Sequence, residues 1–452
     1  MRARIWFLTA ILAGASISAF QETRLPATLH LTAYLEAFNS GNPASMREFI
    51  QAHFADSALR QTPLEERVSR HTTAASRWQS LNLQKIVAER PGQTLALVRT
   101  GKGEYLLLRA GVEKEPPHRL LFIYVEPVQD PQNVIVPEPK ANDEELMAAA
   151  RQLLEAETRA DEFSGVVLIA KNFQVLFQQA YGFADREKKI PNQKDTKFNL
   201  GSINKNFTRA AILQLKKQGK LSLPDPIQKF LPDYPNRQAA EKVTIQQLLD
   251  MTSGIGDFFG PRYEATPKEN IRSLQDYLPL FADQPLKFEP GTNNRYSNGG
   301  YIVLGAIIEK ASGLDYYTYV RENIFKPTGM LATDSYERDK AVPNLALGYT
   351  RRGRPGGERV LNQATLPGRG SSAGGGYSTA EDLLKYVQAL SLGKIFLPDI
   401  ANGLGIAGGA PGINANLEWD RRSGYVVIVL TNFDPPTAGR ASRQIMSWLP
   451  ES

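Results

Sequence analysis

A chain of 452 residues with 42% hydrophobic and 22% charged residues has the make-up of a soluble globular protein, and its length suits two or three domains rather than one. It contains no cysteine, which excludes disulfides, thiol nucleophiles, thiolate metal sites and a lipid-modified N-terminal cysteine. The formal charge of +6 is scattered, with pairs such as Lys216-Lys217 and Arg421-Arg422 but no long run, which argues for a solvated basic surface and against a nucleic-acid partner.

Residues 1–20 read as a signal peptide. Arg2 and Arg4 form a positive start, Ile5 to Ala15 is an almost unbroken apolar run, and Ala15, Ser16, Ser18 and Ala19 supply small residues for cleavage near Ala19. A periplasmic or secreted location is the expectation, with a net charge of +4 once Arg2 and Arg4 are gone. The run falls short of the roughly 20 residues needed to span a bilayer, and no later stretch is long and apolar enough, so no membrane insertion is expected after cleavage.

Residues 28–128 are predicted to form a small α+β domain. Leu31, Tyr34, Leu35 and Phe38 recur with helical spacing up to the turn Asn39 to Pro43, and Met46, Phe49, Ile50 and Phe54 repeat the pattern. From about 80 the pattern becomes strand-like: LALVRT, EYLLLRAGV and HRLLFIYVEPV are bounded by PGQ, GKG and KEPP turns. The helix-then-sheet order and the YLEAFNSGNPASM stretch resemble the NTF2-like domains that precede hydrolase domains in some secreted bacterial proteins. His30, His53, His71 and His118 are the chain's four histidines, and their spacing fits no metal signature, so hydrogen-bonded structural roles are expected. Residues 129–142, rich in proline and asparagine, read as a linker.

From 143 to 452 a second domain is expected. Its first helix, 143–159, starts with acidic residues that suit the helix dipole. FSGVVLIAKNFQVLFQQAYG then reads as a hairpin turning at Lys171-Asn172, and GINANLEWDRRSGYVVIVLTN as a second one turning between Asp420 and Gly424, before a last amphipathic helix. Strands from both ends are predicted to pair in one antiparallel sheet with helices against it, the mainly helical middle forming another lobe.

This domain holds neither histidine nor cysteine. A hydrolase built on it must therefore activate a serine or threonine with lysine, tyrosine or a carboxylate. Ser202 stands just ahead of a helix marked by Ile203, Phe207, Ala211 and Leu215 and ended by Gly219, with Lys205 three residues on and on the same face. The helix dipole and the ammonium both favour a developing alkoxide there. A Ser-x-x-K pair alone is weak, and a second copy, Ser391 to Lys394, lies where a helix ends.

The surrounding segments carry a family resemblance. FNLGSINKNFTRAAILQLKKQGKLSLPDPIQKFLPDYP, VTIQQLLDMTSGI, PGTNNRYSNGGYIVLGAIIEKASG, SSAGGGYSTAEDLLKYVQAL and GGAPGINANLEWDRRSGYVVIVLTN resemble, in order, the serine β-lactamase and penicillin-binding-protein superfamily in its class C and DD-peptidase branch. The resemblance implies a β-lactamase/transpeptidase-like α+β fold. It matches Ser202 to the acylated serine, Lys205 to the motif lysine, and Tyr296-Ser297-Asn298 to the Tyr-x-Asn motif. Beside the Lys205 ammonium a phenol can exist as phenolate or share its proton, so Tyr296 can act as base, with Lys205 as electrostatic partner. Asn298 would orient Lys205 and substrate, and the N–H groups of Ser202 and Gly409 would form the oxyanion hole. Tyr234-Pro-Asn236 is a decoy in a proline-rich loop.

Three departures stand out. Where the family carries Lys-Thr-Gly or His-x-Gly, this chain has Ile406-Ala407-Gly408, so the cation and hydroxyl are gone and the glycines that line the backbone remain. Met251 replaces a histidine before Thr-Ser-Gly, and the stretch from Asp382 to Gly408 is short for the family. The reading is an exported serine hydrolase forming an acyl-enzyme with a small ester, amide or peptide, needing no metal or organic cofactor. A penicillin-recognising peptidase or β-lactamase is one alternative, and a pseudoenzyme binding a cell-wall peptide or a partner is another.

Overall fold

Two strands near the opposite ends of the second domain, GVVLIAK and YVVIVLT, are apolar at nearly every position, which a strand tolerates only when both its faces are covered. The computed structural model of the protein, which describes residues 25–128, 131, 139–351, 357–398 and 400–450, pairs them directly. The signal-peptide reading of 1–20 and most of the linker reading of 129–142 lie outside the described residues. The chain divides into two compact units, 1–137 and 138–452.

In the first unit, helices α1 (Pro26–Asn39), α2 (Pro43–His53), α3 (Asp56–Gln61) and α4 (Leu64–Trp78) precede an antiparallel sheet of β1 (Leu81–Arg90), β2 (Gln93–Thr100), β3 (Tyr105–Val112) and β4 (Leu120–Val128), in that order. The helical stripe of α1 is buried against alternate residues of the sheet, such as Ala96, Val98, Leu106 and Leu108. The second predicted helix ends one residue before Phe54, which is its extended C-cap and is buried. The histidines are hydrogen-bonded within this unit: His30 Nδ1 lies 2.8 Å from His53 Nδ1, His71 Nδ1 3.1 Å from Tyr34 Oη, and His118 Nδ1 3.1 Å from the Glu113 carbonyl.

The second unit is mixed α+β. Lys140 N–H donates to the Trp448 carbonyl and Asn142 caps α5 (Asp143–Arg159), so the last residues of the predicted linker belong to this unit. The two hairpins form β5 (Gly165–Lys171) with β6 (Gln174–Tyr181), and, after an edge strand β7 (Gly403–Ala410), β8 (Ile413–Asp420) with β9 (Tyr425–Thr431). All pairings are antiparallel, in the order β7-β8-β9-β5-β6.

The alternation of a strand explains how one sheet serves two cores. Val167, Ile169, Val427 and Val429 face α5 and the last helix, α9 (Thr437–Ser447), among Leu146, Ala150, Ala441 and Ile445. Val166, Leu168, Ile428 and Leu430 face the other way, into the helical lobe. Burying each such side chain contributes about 1.5–3 kcal/mol. The lobe contains α6 (Asn204–Lys217), α7 (Asn298–Ser312) and α8 (Ala380–Ser391). Phe207 of α6 meets Phe325 and Tyr386 edge-on at 5.1 and 5.0 Å. The short stretch after Asp382 leaves the sheet intact, because β7 keeps unbroken register with β8 from Gly403↔Asp420 to Ala410↔Ile413.

Candidate active site

Ser202 lies in a turn of 3₁₀ helix, Gly201–Ile203, that runs straight into α6. Gly201 makes this turn possible. Its φ is +51°, a left-handed conformation costly for other residues, and a Cβ there would stand 2.8 Å from the backbone nitrogen of Gly409. The edge strand approaches from the opposite side just as closely. A Cβ on Gly408 would fall 1.9 Å from the Leu200 carbonyl oxygen and 2.7 Å from the Ser202 nitrogen. Glycine at both positions lets β7 lie against the serine turn, bringing the Gly409 and Ser202 backbones together.

Ser202 Oγ is 2.6 Å from Tyr296 Oη and accepts a hydrogen bond from Lys205 Nζ at 3.2 Å. Lys205 also donates to Asn298 Oδ1 at 2.7 Å and to the carbonyl of Ala373, and its Nζ sits 4.7 Å from the centre of the Tyr296 ring. Thus Ser202, Lys205, Tyr296 and Asn298 form one connected group, with Gly408 and Gly409 facing it across the serine turn. Ser391 and Lys394 sit at and beyond the end of α8, and Tyr234 is buried while Asn236 caps a short helix through Ala239 N–H, so neither decoy joins the site.

The electrostatics bear on which group takes the proton. Lys205 is only 7% exposed, and burial pulls its pKa down to about 7, against the opposing pull of the Asp257 carboxylate. Burial pushes the Tyr296 phenol up from its ordinary value, partly offset by the Ser202 hydrogen bond. Burial thus penalises both charged forms, the Lys205 ammonium and the Tyr296 phenolate. Near pH 7 Lys205 is divided about evenly between ammonium and neutral amine, so a neutral amine is available to accept a proton. Tyr296, 52% exposed, is the member of the group that opens to the cleft.

Two supporting groups had no sequence signal of their own. Asp257 Oδ2 accepts from Asn298 Nδ2 at 2.7 Å and from Asn298 N–H at 3.3 Å. The loop carrying Ala373 is tied to α6 and α7: Thr208 Oγ1 donates to the Ser372 carbonyl and Ser372 Oγ to the Tyr301 carbonyl, at 2.7 and 2.8 Å. These contacts join residues tens to more than a hundred positions apart, beyond the reach of local periodicity. Met251, which stands where the family often has histidine, takes φ +60°, and its sulfur accepts from Ser297 N–H at 3.4 Å, steadying the Tyr296-Ser297-Asn298 turn.

The serine opens into a cleft of about 1840 Å³ whose lining includes Phe258, Phe259, Tyr263, Tyr277 and Tyr336. Phe258 and Phe259 are 4.3 Å apart, and Phe259 is exposed. On β7, Ile406 packs partly against the core and Ala407 is exposed. The strand facing the serine thus presents neither a cation nor a hydroxyl at these positions.

Comparison with known proteins places this geometry in context. The family model described as Beta-lactamase matches residues 149–402. Penicillin-binding protein 4* of Bacillus subtilis (strain 168) is 34% identical over 193 residues, 42% of this chain and 42% of that one, so the match spans under half of that relative's length. The crystal structure of a penicillin binding protein from Bacillus halodurans aligns with a TM-score of 0.58 at 30% identity, covering 65% of this chain and 98% of that one. EstCE1, a hydrolase with promiscuous acyltransferase activity, shares the fold at 24% identity and a TM-score of 0.54, covering 67% of this chain and 98% of that one.

Proposed function

We propose that this chain, which belongs to the Beta-lactamase family, directs its acyl-enzyme chemistry at neutral esters or amides with an apolar acyl group, using Ser202 as nucleophile. The observation that carries the reading is the connected group of Ser202, Lys205, Tyr296 and Asn298 at the mouth of an aromatic cleft.

The proton path follows from the acidities. Neutral Lys205 accepts the Ser202 proton as Oγ attacks the carbonyl carbon. Tyr296, the hydroxyl open to the cleft, gives its proton to the departing oxygen or nitrogen and is reprotonated from the Lys205 ammonium. Water then attacks the acyl-enzyme, and the protons return by the reverse route. The Ser202 and Gly409 N–H groups receive the developing oxyanion, each such donor being worth about 3 kcal/mol. This reading moves the general base from Tyr296 to Lys205.

Substrate class follows from Ile406 and Ala407. A carboxylate placed against β7 would find no counter-charge there and would lose water without compensation. That disfavours penicillins and peptides ending in a free carboxylate, and favours neutral acyl groups that stack on Phe258 and Phe259. Export remains part of the proposal, supported by the pattern of residues 1–20, and so does the NTF2-like character of residues 28–128, supported by their helix-then-sheet order. A paired assay tests the substrate claim: hydrolysis of methyl phenylacetate-type esters, whose acyl group carries the ring, against the same esters bearing a free carboxylate on that acyl group, with acylation by a labelled penicillin alongside. Faster turnover of the neutral esters, lost in Ser202→Ala, is expected. Stoichiometric penicillin acylation without ester turnover would overturn it.

A further inference from the structure

The chain of contacts behind the serine continues past the groups that touch it. Asn298 lies between Lys205 and Asp257, and its side-chain amide has two chemically different ends, an oxygen that only accepts and an NH2 that only donates. Lys205 takes the oxygen at 2.7 Å and Asp257 Oδ2 takes the NH2, also at 2.7 Å. The carboxylate is itself held, because Asp257 Oδ1 accepts from the Phe259 N–H at 3.1 Å and Oδ2 also meets the Asn298 N–H at 3.3 Å. Its loop is pressed onto the start of α7: Ser297 Oγ donates to the Gly256 carbonyl at 2.8 Å, and a Cβ on Gly299 would come within 2.4 Å of that oxygen.

We propose that Asp257 is a positioning residue, whose carboxylate fixes the Asn298 amide so that its oxygen rather than its NH2 faces Lys205. An acceptor-only partner makes the flipped amide unfavourable twice over. The NH2 would oppose the lysine's own donors, and the amide oxygen would oppose a carboxylate oxygen. The same carboxylate also acts on Lys205, favouring its ammonium against the larger opposite effect of burial. The other groups around Lys205 are the phenols of Tyr296 and Tyr301, with ring centres 4.7 and 5.6 Å from Nζ. Asp250 and Arg209 act on Tyr301 with opposite sign.

This inference rests on the serine-hydrolase reading, and one experiment separates the two. Intact-mass measurement of the rate of labelling by a fluorophosphonate is made across pH 5 to 9 for wild type, Asp257→Asn and Asp257→Ala, with a thermal transition recorded for each. Asp257→Asn keeps an oxygen for the Asn298 NH2 but removes the charge. The midpoint of its acid limb is expected to move down by roughly one pH unit, because losing a nearby anion makes the lysine easier to deprotonate. Asp257→Ala frees the amide and is expected to label roughly 10- to 100-fold more slowly at its plateau. Unchanged rates and midpoints in both variants would overturn the proposal. So would losses that merely follow a lowered thermal transition, which would make Asp257 a helix-end support. Unlabelled, well-folded wild type would instead bring down the underlying reading.

Discussion

The two walls flanking Ser202 are built on opposite plans. On the α6–α7 side polar side chains are joined to one another, with Lys205 bonded to Ser202, Asn298 and Ala373, and Asn298 bonded to Asp257. On the β7 side the chain contributes backbone, and the side chains at 406–409 are isoleucine, alanine and two glycines. Proton transfer needs the first wall, whereas recognition of a charged substrate group needs something on the second. The contrast teaches that hydrogen-bonding side chains gather on one wall beside Ser202, while residues 406–409 of β7 offer no side chain to grip an anion.

The comparison can be broken most severely at its polar wall. Lys205→Met should slow acylation by roughly 100- to 10,000-fold, the usual worth of a positioned acid–base group, measured as ester turnover per folded molecule. In the wild type the rate should rise as pH passes through about 7, where Lys205 becomes neutral, and fall below it as the ammonium accumulates. A stopped-flow pH profile checks that sign. On the opposite wall, Gly408→Val would drive its Cβ into the Leu200 carbonyl and move the strand off the serine turn. Loss of one oxyanion donor predicts a fall of roughly 100-fold in kcat. The overpacking should also cost about 1–3 kcal/mol in urea unfolding.

A sharpening change is Ile406→Lys, which returns a cation to the bare wall. It should raise kcat/KM for carboxylate-bearing esters roughly tenfold while leaving neutral esters nearly unchanged. The smallest effect is expected from Phe259→Ala, which removes an exposed ring from the cleft and should raise KM for aromatic esters a few-fold, about 1 kcal/mol of stacking.

How much of this was legible in the sequence follows the same division between local and distant contacts. GVVLIAK and YVVIVLT announce themselves as doubly buried strands, and Asn172 and Gly424 mark turns by their left-handed backbone. Ser202 and Lys205 are neighbours on one helix, so their spacing carried them. Tyr296 was found only through the order of the resembling segments, since no periodic signal joins it to Ser202. Helix α4 went unmarked because its apolar stripe is thin, with Val68 buried and Leu64, Ala75 and Trp78 only partly so. Asp257 and the Ala373 carbonyl act across 41 and 168 residues, where only the packed loops reveal them. The burial of Lys205 was not legible for a related reason, because it depends on the whole lobe around it.

The central claim is that an unusually acidic lysine makes Ser202 a nucleophile, and intact mass after exposure to a fluorophosphonate tests it most directly. The account predicts one adduct on wild type, forming faster above pH 7 than below, and none on Ser202→Ala. A folded wild type that takes up no adduct, or an adduct that persists in Ser202→Ala, would contradict it.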